Sequence, residues 1–127
     1  MTCNRLFVYG TLRRFVPESK ADMFSDGATY LTTGRTIGKL YRISWHPGMT
    51  PGEAGDWVTG EIWKLSNPAE TFRILDEYEG PDYERIVVSI EVEDGEQLEA
   101  WTYFYKAPVE GKARIESGDW ADAAGSG

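Results

Sequence analysis

The stretch NPAETFRILDEYEGPDYERIVVSIEVEDGEQLEAWTYFY, residues 67–105, decides the fold. Asn67 is a good helix N-cap, Pro68 suits the first helical position, where no N–H is needed, and Glu70 sits where its side chain can return a bond to the cap. Phe72 and Leu75, with Ile74 and Tyr78 beside them, give an apolar stripe at spacings of three and four, and Gly80-Pro81 stops it. The spacing predicts a helix over 68–78. From Tyr83 the period changes. Tyr83 to Val92 and Gln97 to Tyr105 are rich in β-branched and aromatic residues, and Asp94-Gly95 between them predicts a tight hairpin. One capped helix followed by a hairpin, with no alternating βαβ repeat, argues for an α+β fold with a mixed, mostly antiparallel sheet that can close into a β-barrel.

Towards the N-terminus, Leu6-Phe7-Val8-Tyr9 is a short apolar run ending at Gly10, which reads as a buried strand. Glu18 to Phe24 carries a weak signal for a short helix. Arg35 to Ile43 alternates imperfectly, and Trp57 to Leu65 resumes a strand pattern after the breakers Pro47-Gly48 and Pro51-Gly52. Between these strands the reading leaves a loop of about a dozen residues, a length that in compact domains is often functional. Residues 121–127, small and polar, are expected to fray. Without a repeat or a linker, residues 1–120 read as one domain and 121–127 as a flexible tail.

A chain of 127 residues and 14.3 kDa should expose about 6,800 Å² when folded against about 21,000 Å² unfolded, enough burial for one core. Its net charge of −8 is unevenly spread: residues 1–64 carry eight basic and six acidic side chains, residues 65–127 five and fifteen. Affinity for nucleic acid needs clustered Lys and Arg, so such an acidic surface argues against nucleic acid and against anionic lipid as partners. From Asp76 to Glu99 ten acids stand against Arg85 alone, but they alternate with Ile86, Val88, Ile90 and Val92, the pattern of a solvated strand face. Cys3 is the only cysteine, so there is no internal disulfide and no cysteine-rich zinc site, and no metal is expected. No basic leader or long apolar segment is present, which points to a cytoplasmic protein with no membrane partner, monomeric or a small homo-oligomer.

Two segments carry chemistry. Gly10 lies where the chain leaves a buried strand; either it only permits a turn, or it clears side chains from backbone N–H groups that converge on an oxygen anion. Leu75-Asp76-Glu77-Tyr78-Glu79-Gly80 puts three carboxylates at the negative end of a helix, which costs stability. Either this is a solvated helix end, or one carboxylate is shielded from water and its pKa is pushed up towards that of a general base.

Taken together and in order, Val8-Tyr9-Gly10-Thr11-Leu12, Leu75-Asp76-Glu77-Tyr78-Glu79-Gly80 and Trp101-Thr102-Tyr103-Phe104-Tyr105 resemble the γ-glutamylcyclotransferase-like family. Gly38-Lys39-Leu40-Tyr41, Val58 to Trp63, Tyr83 with Arg85, and Ser117-Gly118-Asp119-Trp120 extend the resemblance over most of the chain. It is closest to the small γ-glutamylamine cyclotransferase type and bacterial relatives; the glutathione-related branch has Ser-Asn where this chain has Thr11-Leu12. The resemblance implies a mixed barrel and an enzyme that cyclises the γ-glutamyl group of a small γ-glutamyl amine or amino acid to 5-oxoproline. Tyr9, Gly10, Thr11 and Leu12 would form the substrate loop, and Glu79 would be the catalytic base and then acid. Phe15-Val16-Pro17 replaces a common Gly and alters the loop rim. Such a reaction needs no cofactor and no protein nucleophile, because the substrate's own α-amine attacks. The alternative is a non-catalytic member that keeps the cavity to bind a small metabolite or acts through protein contacts.

Helix geometry points to the same glutamate. Glu79 follows Phe72 by seven residues and Leu75 by four, so it shares their buried stripe, while Asp76 and Glu77 turn towards solvent. Burial and the helix end together should raise its pKa. Tyr83, Tyr103 and Tyr105 are candidates for the pocket wall, with Tyr83 and Tyr103 retained as binding residues. His46, alone beside Pro47, reads as a surface or structural histidine, and Arg13-Arg14 as an ordinary exposed pair that could attract a substrate carboxylate.

Overall fold

The computed structural model describes residues 3–16 and 19–125, with side chains described to Asp122. Eight strands form one sheet: β1 (Arg5–Val8), β2 (Ala28–Ile37), β3 (Lys39–Arg42), β4 (Pro47–Thr50), β5 (Trp57–Leu65), β6 (Tyr83–Val92), β7 (Gln97–Tyr105) and β8 (Ala113–Arg114). The helices are α1 (Pro68–Glu79) and α2 (Trp120–Gly125). Strands β1-β5-β2-β6-β7 close on themselves through a β1–β7 pairing. Four of these five pairings are antiparallel and β1–β7 is parallel. An odd number of strands cannot close antiparallel throughout, so one parallel seam is obligatory. Strands β4, β3 and β8 continue the sheet outward from β7. The accessible surface, 6865 Å², agrees with the size expectation.

Two apolar layers explain the sequence pattern. Phe7, Val58, Ile62, Ile90 and Ala100 fill the barrel with Leu40, Met49 and Trp120, while Leu6, Val8, Trp63, Leu65, Trp101 and Tyr103 turn outward beneath Phe72 and Leu75 of α1. Strand β1 is thus buried on both faces, which is why it reads as an unbroken apolar run. At Gly60 the barrel wall closes so tightly that a side chain would run into the Val8 carbonyl oxygen and the Phe7 ring.

The helix and hairpin lie where the spacing put them, α1 running one residue further, to Glu79. The cap differs in one bond: Glu70 N–H donates to Asn67 Oδ1 at 3.4 Å, but the Glu70 carboxylate turns to Arg73 at 2.7 Å instead of back to the cap. The long loop before β5 holds a strand. β4, masked by the breakers on either side, pairs antiparallel with β3 and parallel with β7. The weak helix signal resolves into two short 3-10 turns, Ala21–Met23 and Ser25–Gly27; its start at Glu18, like Pro17 of the loop rim, lies outside the described residues. The tail expected over 121–127 begins inside α2, where Ala121 N–H donates to Asp119 Oδ1 at 2.9 Å and Trp120 is buried in the barrel. Among the described residues no helix is long and apolar enough to cross a membrane, and no group of three or more His, Cys, Asp or Glu is placed to hold a metal.

Candidate active site

The parallel seam creates the site. β7 has β6 on one edge, and β1 and β4 share the other end to end: Leu6 is opposite Trp101, Met49 opposite Phe104. Where β1 leaves and β4 enters, the seam forks. Tyr9 plugs the fork. Its buried hydroxyl donates to the Tyr103 carbonyl at 2.6 Å and accepts from Met49 N–H at 3.1 Å, replacing ladder bonds the fork would otherwise lack. Burial, and then the nearby Glu79 and Tyr83, push its pKa well above the usual phenol value, so it stays protonated.

The chain then turns sharply, with Arg13 N–H bonded to the Gly10 carbonyl at 3.0 Å. A Cβ on Gly10 would lie 2.6 Å from Pro47 Cγ, so glycine is required here by close approach to β4. Gly10, Thr11 and Leu12 are buried, yet among the described residues their N–H groups form no hydrogen bond. Buried backbone donors are rarely left unpaired, and several at one turn can together receive an anion. The two arginines that follow anchor this turn. Arg13 pairs with Asp119 at 2.8 Å; Arg14 lies 3.6 Å from buried Glu61 and over the Tyr30 ring, and its N–H also bonds Glu61. Arg13 is held by Asp119 and Arg14 by the Tyr30 ring beside Glu61, so both act in the structure, and the Nε of each is buried with no hydrogen-bond partner among the described residues.

Opposite the turn stands the last residue of α1. Glu79 is half-buried, and no hydrogen bond or ion pair to its carboxylate occurs among the described residues. Burial raises its pKa from 4.5 to about 7. Gly80, at φ 81°, ends the helix with its N–H on the Asp76 carbonyl and turns the chain into β6. Asp76 and Glu77 are exposed, as the stripe requires. Asp76 is nonetheless occupied, since it pairs with Arg85 at 2.9 Å and accepts the Tyr103 hydroxyl at 2.6 Å. Burial would raise the Asp76 carboxyl, but those two bonds outweigh it and hold the pKa below its usual value.

The remaining wall is aromatic. Tyr83 donates its hydroxyl proton to the Pro47 carbonyl at 2.9 Å, so its oxygen must accept from His46 Nδ1 at 3.1 Å. That fixes the His46 proton on Nδ1 and leaves Nε2 without a partner among the described residues. The Trp45 ring meets His46 edge to face at 4.9 Å, and Thr11 faces the Tyr78 phenol. Burial is the main cause that raises the phenols of Tyr83 and Tyr103 well above their usual pKa.

These elements enclose one cleft that opens to solvent. All seven residues singled out from the sequence, Tyr9, Gly10, Thr11, Leu12, Glu79, Tyr83 and Tyr103, line it; Tyr105 does not. Sequence reading missed Trp45, His46, Pro47 and Tyr78, which also line it. The only signal for the first three was the length of the loop that holds them.

Comparison with known proteins gives a consistent set of relatives. Residues 6–122 match the family described as gamma-glutamyl cyclotransferase, AIG2-like. The chain is 32% identical to the gamma-glutamylcyclotransferase family protein YtfP of Escherichia coli strain K12, over 93% of this chain and 96% of that protein. The solution structure of E. coli ytfP superposes with a TM-score of 0.65 at 34% identity, covering 94% of this chain and 97% of that one. The crystal structure of an AIG2-like protein (A2LD1, GGACT) from Mus musculus superposes with a TM-score of 0.68 at 28% identity, covering 84% and 80%.

Proposed function

Because the chain belongs to the gamma-glutamyl cyclotransferase, AIG2-like family, we propose that it cyclises the γ-glutamyl group of a small γ-glutamyl amine or amino acid to 5-oxoproline and releases the amine. One observation carries this reading: across one cleft, a half-buried carboxylate faces a turn whose N–H groups, like that carboxylate, have no hydrogen-bond partner among the described residues. Intramolecular aminolysis needs a proton acceptor and an oxyanion site, and no protein nucleophile.

Charged Glu79 takes a proton from the substrate's α-ammonium. The freed amine attacks the δ-carbonyl carbon and a C–N bond forms. Gly10, Thr11 and Leu12 N–H groups hold the carbonyl oxygen as it becomes an oxyanion. Protonated Glu79 then gives its proton to the departing nitrogen, and the old C–N bond breaks. The second proton shed by the attacking nitrogen completes the product ammonium, so none is gained or lost overall. A carboxyl with pKa about 7 serves in both directions near neutral pH, because neither protonation state is far out of reach. Tyr9 and Tyr103 hold the fork and thereby the turn; Tyr83 forms the wall beside Glu79.

The test is a panel of γ-glutamyl amines, γ-glutamyl amino acids and glutathione incubated with the protein and assayed for 5-oxoproline. Release from at least one supports the reading. Ligand-dependent melting without product would replace it with a non-catalytic binding function.

A further inference from the structure

The cleft has a closed end and an open end, and they differ in chemistry. Pro47, packed on Gly10, is buried; His46 is half-buried; Trp45 is 49% exposed. Along these three residues the wall runs from the turn out to solvent. If the glutamyl group occupies the closed end between the turn and Glu79, as the proposed function requires, the amine's substituent lies against His46 and Trp45. No Lys or Arg lines the cleft among the described residues, and its one acidic side chain is Glu79. The arginines on the adjoining segments are already tied: Arg13 to Asp119, Arg14 to Glu61, Arg85 to Asp76.

Each group left over at this end prefers a cation. His46, with its proton held on Nδ1 by Tyr83, presents in its neutral form a lone pair on Nε2, an acceptor for an N–H donor. Among the described residues Trp45 has His46 as its only ring partner, and the side chain is exposed, which offers an indole, the strongest cation–π surface among side chains. The hydroxyls of Tyr83 and Tyr103 are spent on Pro47 and Asp76, so these rings offer no acidic proton to an anion. The molecule carries a net charge of −8, a field that draws cations and repels anions.

We propose, on the strength of that functional reading, that Trp45 and His46 form a leaving-group subsite for a second ammonium group, so that the favoured substrates are mono-γ-glutamyl amides of alkyl diamines or polyamines. The ammonium sits over Trp45 and donates to His46 Nε2. An amine bearing a carboxylate finds no counter-charge there and meets Glu79 as a like charge.

Three γ-L-glutamyl amides of matched length test this: those of 1,4-diaminobutane, of butylamine and of 4-aminobutyrate. The diamine amide should exceed the butylamide about tenfold in kcat/KM, the order expected of a partly desolvated cation–π contact, and the carboxylate amide should be poorest. The preference should shrink as ionic strength rises. Trp45→Leu and His46→Gln should each compress the diamine-to-butylamide ratio towards one. Partial unfolding lowers both rates and leaves that ratio unchanged. Equal rates for the three amides, or a ratio untouched by both substitutions, overturns the subsite while the cyclisation stands. If no amide and no other γ-glutamyl compound yields 5-oxoproline, the reaction falls, and calorimetric binding of the same three amides decides the subsite: cation-selective binding lost in Trp45→Leu sustains it, and indifferent or absent binding overturns it.

Discussion

Glu79→Gln separates the chemistry of the site from its architecture, because it keeps the side chain's volume and removes only its capacity to accept a proton. Turnover should fall by about 100-fold to 10,000-fold, the usual worth of a positioned general base. The effect on stability follows from the carboxyl's pKa, raised by burial from 4.5 to about 7. At ~1.4 kcal/mol per unit the charged form is disfavoured in the folded state by about 3 kcal/mol, as an upper bound. Between those two values the folded state holds a proton that the unfolded chain has released, so this group's contribution to stability falls as pH rises through the window. Below about pH 4.5 the carboxyl is neutral in both states, and wild type and variant should differ only by the constant cost of burying an amide, about 1–2 kcal/mol. From pH 4.5 to pH 8 the melting temperature of the variant should therefore gain on wild type, by up to about 10 °C at roughly 4 °C per kcal/mol for a chain of this size. Differential scanning calorimetry across that range, paired with 5-oxoproline release at pH 7.5, is the measurement. A gap that stays flat with pH would show that the Glu79 carboxylate is not held away from water. Near wild-type turnover in a folded Glu79→Gln protein would refute the assignment, the more so if Glu77→Gln were inactive.

Other outcomes follow from the same geometry. The kcat/KM of wild type should rise with pH through an apparent pKa of about 7, and the residual rate of Glu79→Gln should lose that limb in a pH–rate profile. Tyr9→Phe strands the Tyr103 carbonyl and the Met49 N–H, so chemical denaturation should show a loss of about 2–6 kcal/mol, at about 1–3 for each buried group left unpaired. Gly10→Ala forces a methyl against the Pro47 ring and should cost about 1–3 kcal/mol by the same assay, with the turn displaced and KM raised in steady-state kinetics. Asp76→Asn breaks an exposed ion pair with Arg85 and weakens the hold on Tyr103; melting should fall by a few degrees while turnover drops far less than for Glu79→Gln, since Asp76 touches the cleft only through Tyr103.

What was legible in the sequence was what local chemistry decides. Asn67, Pro68 and Gly80 bound a helix by their own backbone preferences, Asp94-Gly95 makes a turn, and the spacing of Phe72, Leu75 and Glu79 sets which carboxylate faces inward. β4 was not legible because Pro47-Gly48-Met49-Thr50 has no strand pattern. Proline is tolerated at its first position, where no ladder N–H is needed, and Gly48 fits because the Tyr105 side chain lies where a Cβ would be. Both residues read as breakers only while their neighbours in space are unknown. His46 reads from sequence as a surface or structural histidine and not as part of a cleft for the same reason, since its place beside Tyr83 depends on β4. The arginine pair misled in the opposite sense: Glu61 and Asp119, which neutralise it, are 47 and 106 residues away in sequence.

The position of the site follows from the arithmetic of closure. Five strands require one parallel seam, and a parallel neighbour cannot be joined through a tight hairpin, so the strand filling the rest of that edge must arrive from elsewhere in the chain. Here β1 fills one half of the β7 edge and β4 the other. Between them the ladder lacks partners. Tyr9 supplies one donor and one acceptor across the gap, and the N–H groups of the next three residues form no hydrogen bond among the described residues. The turn proposed to bind substrate is thus the exit of β1 from a seam it cannot complete, and Gly10 is the residue that lets β4 come close enough to complete it. An insertion that lengthened β1 and paired it further along β7 would satisfy the ladder and abolish the turn. Beside this fork α1 ends, and it brings to the same cleft a carboxylate, Glu79, that has no partner among the described residues.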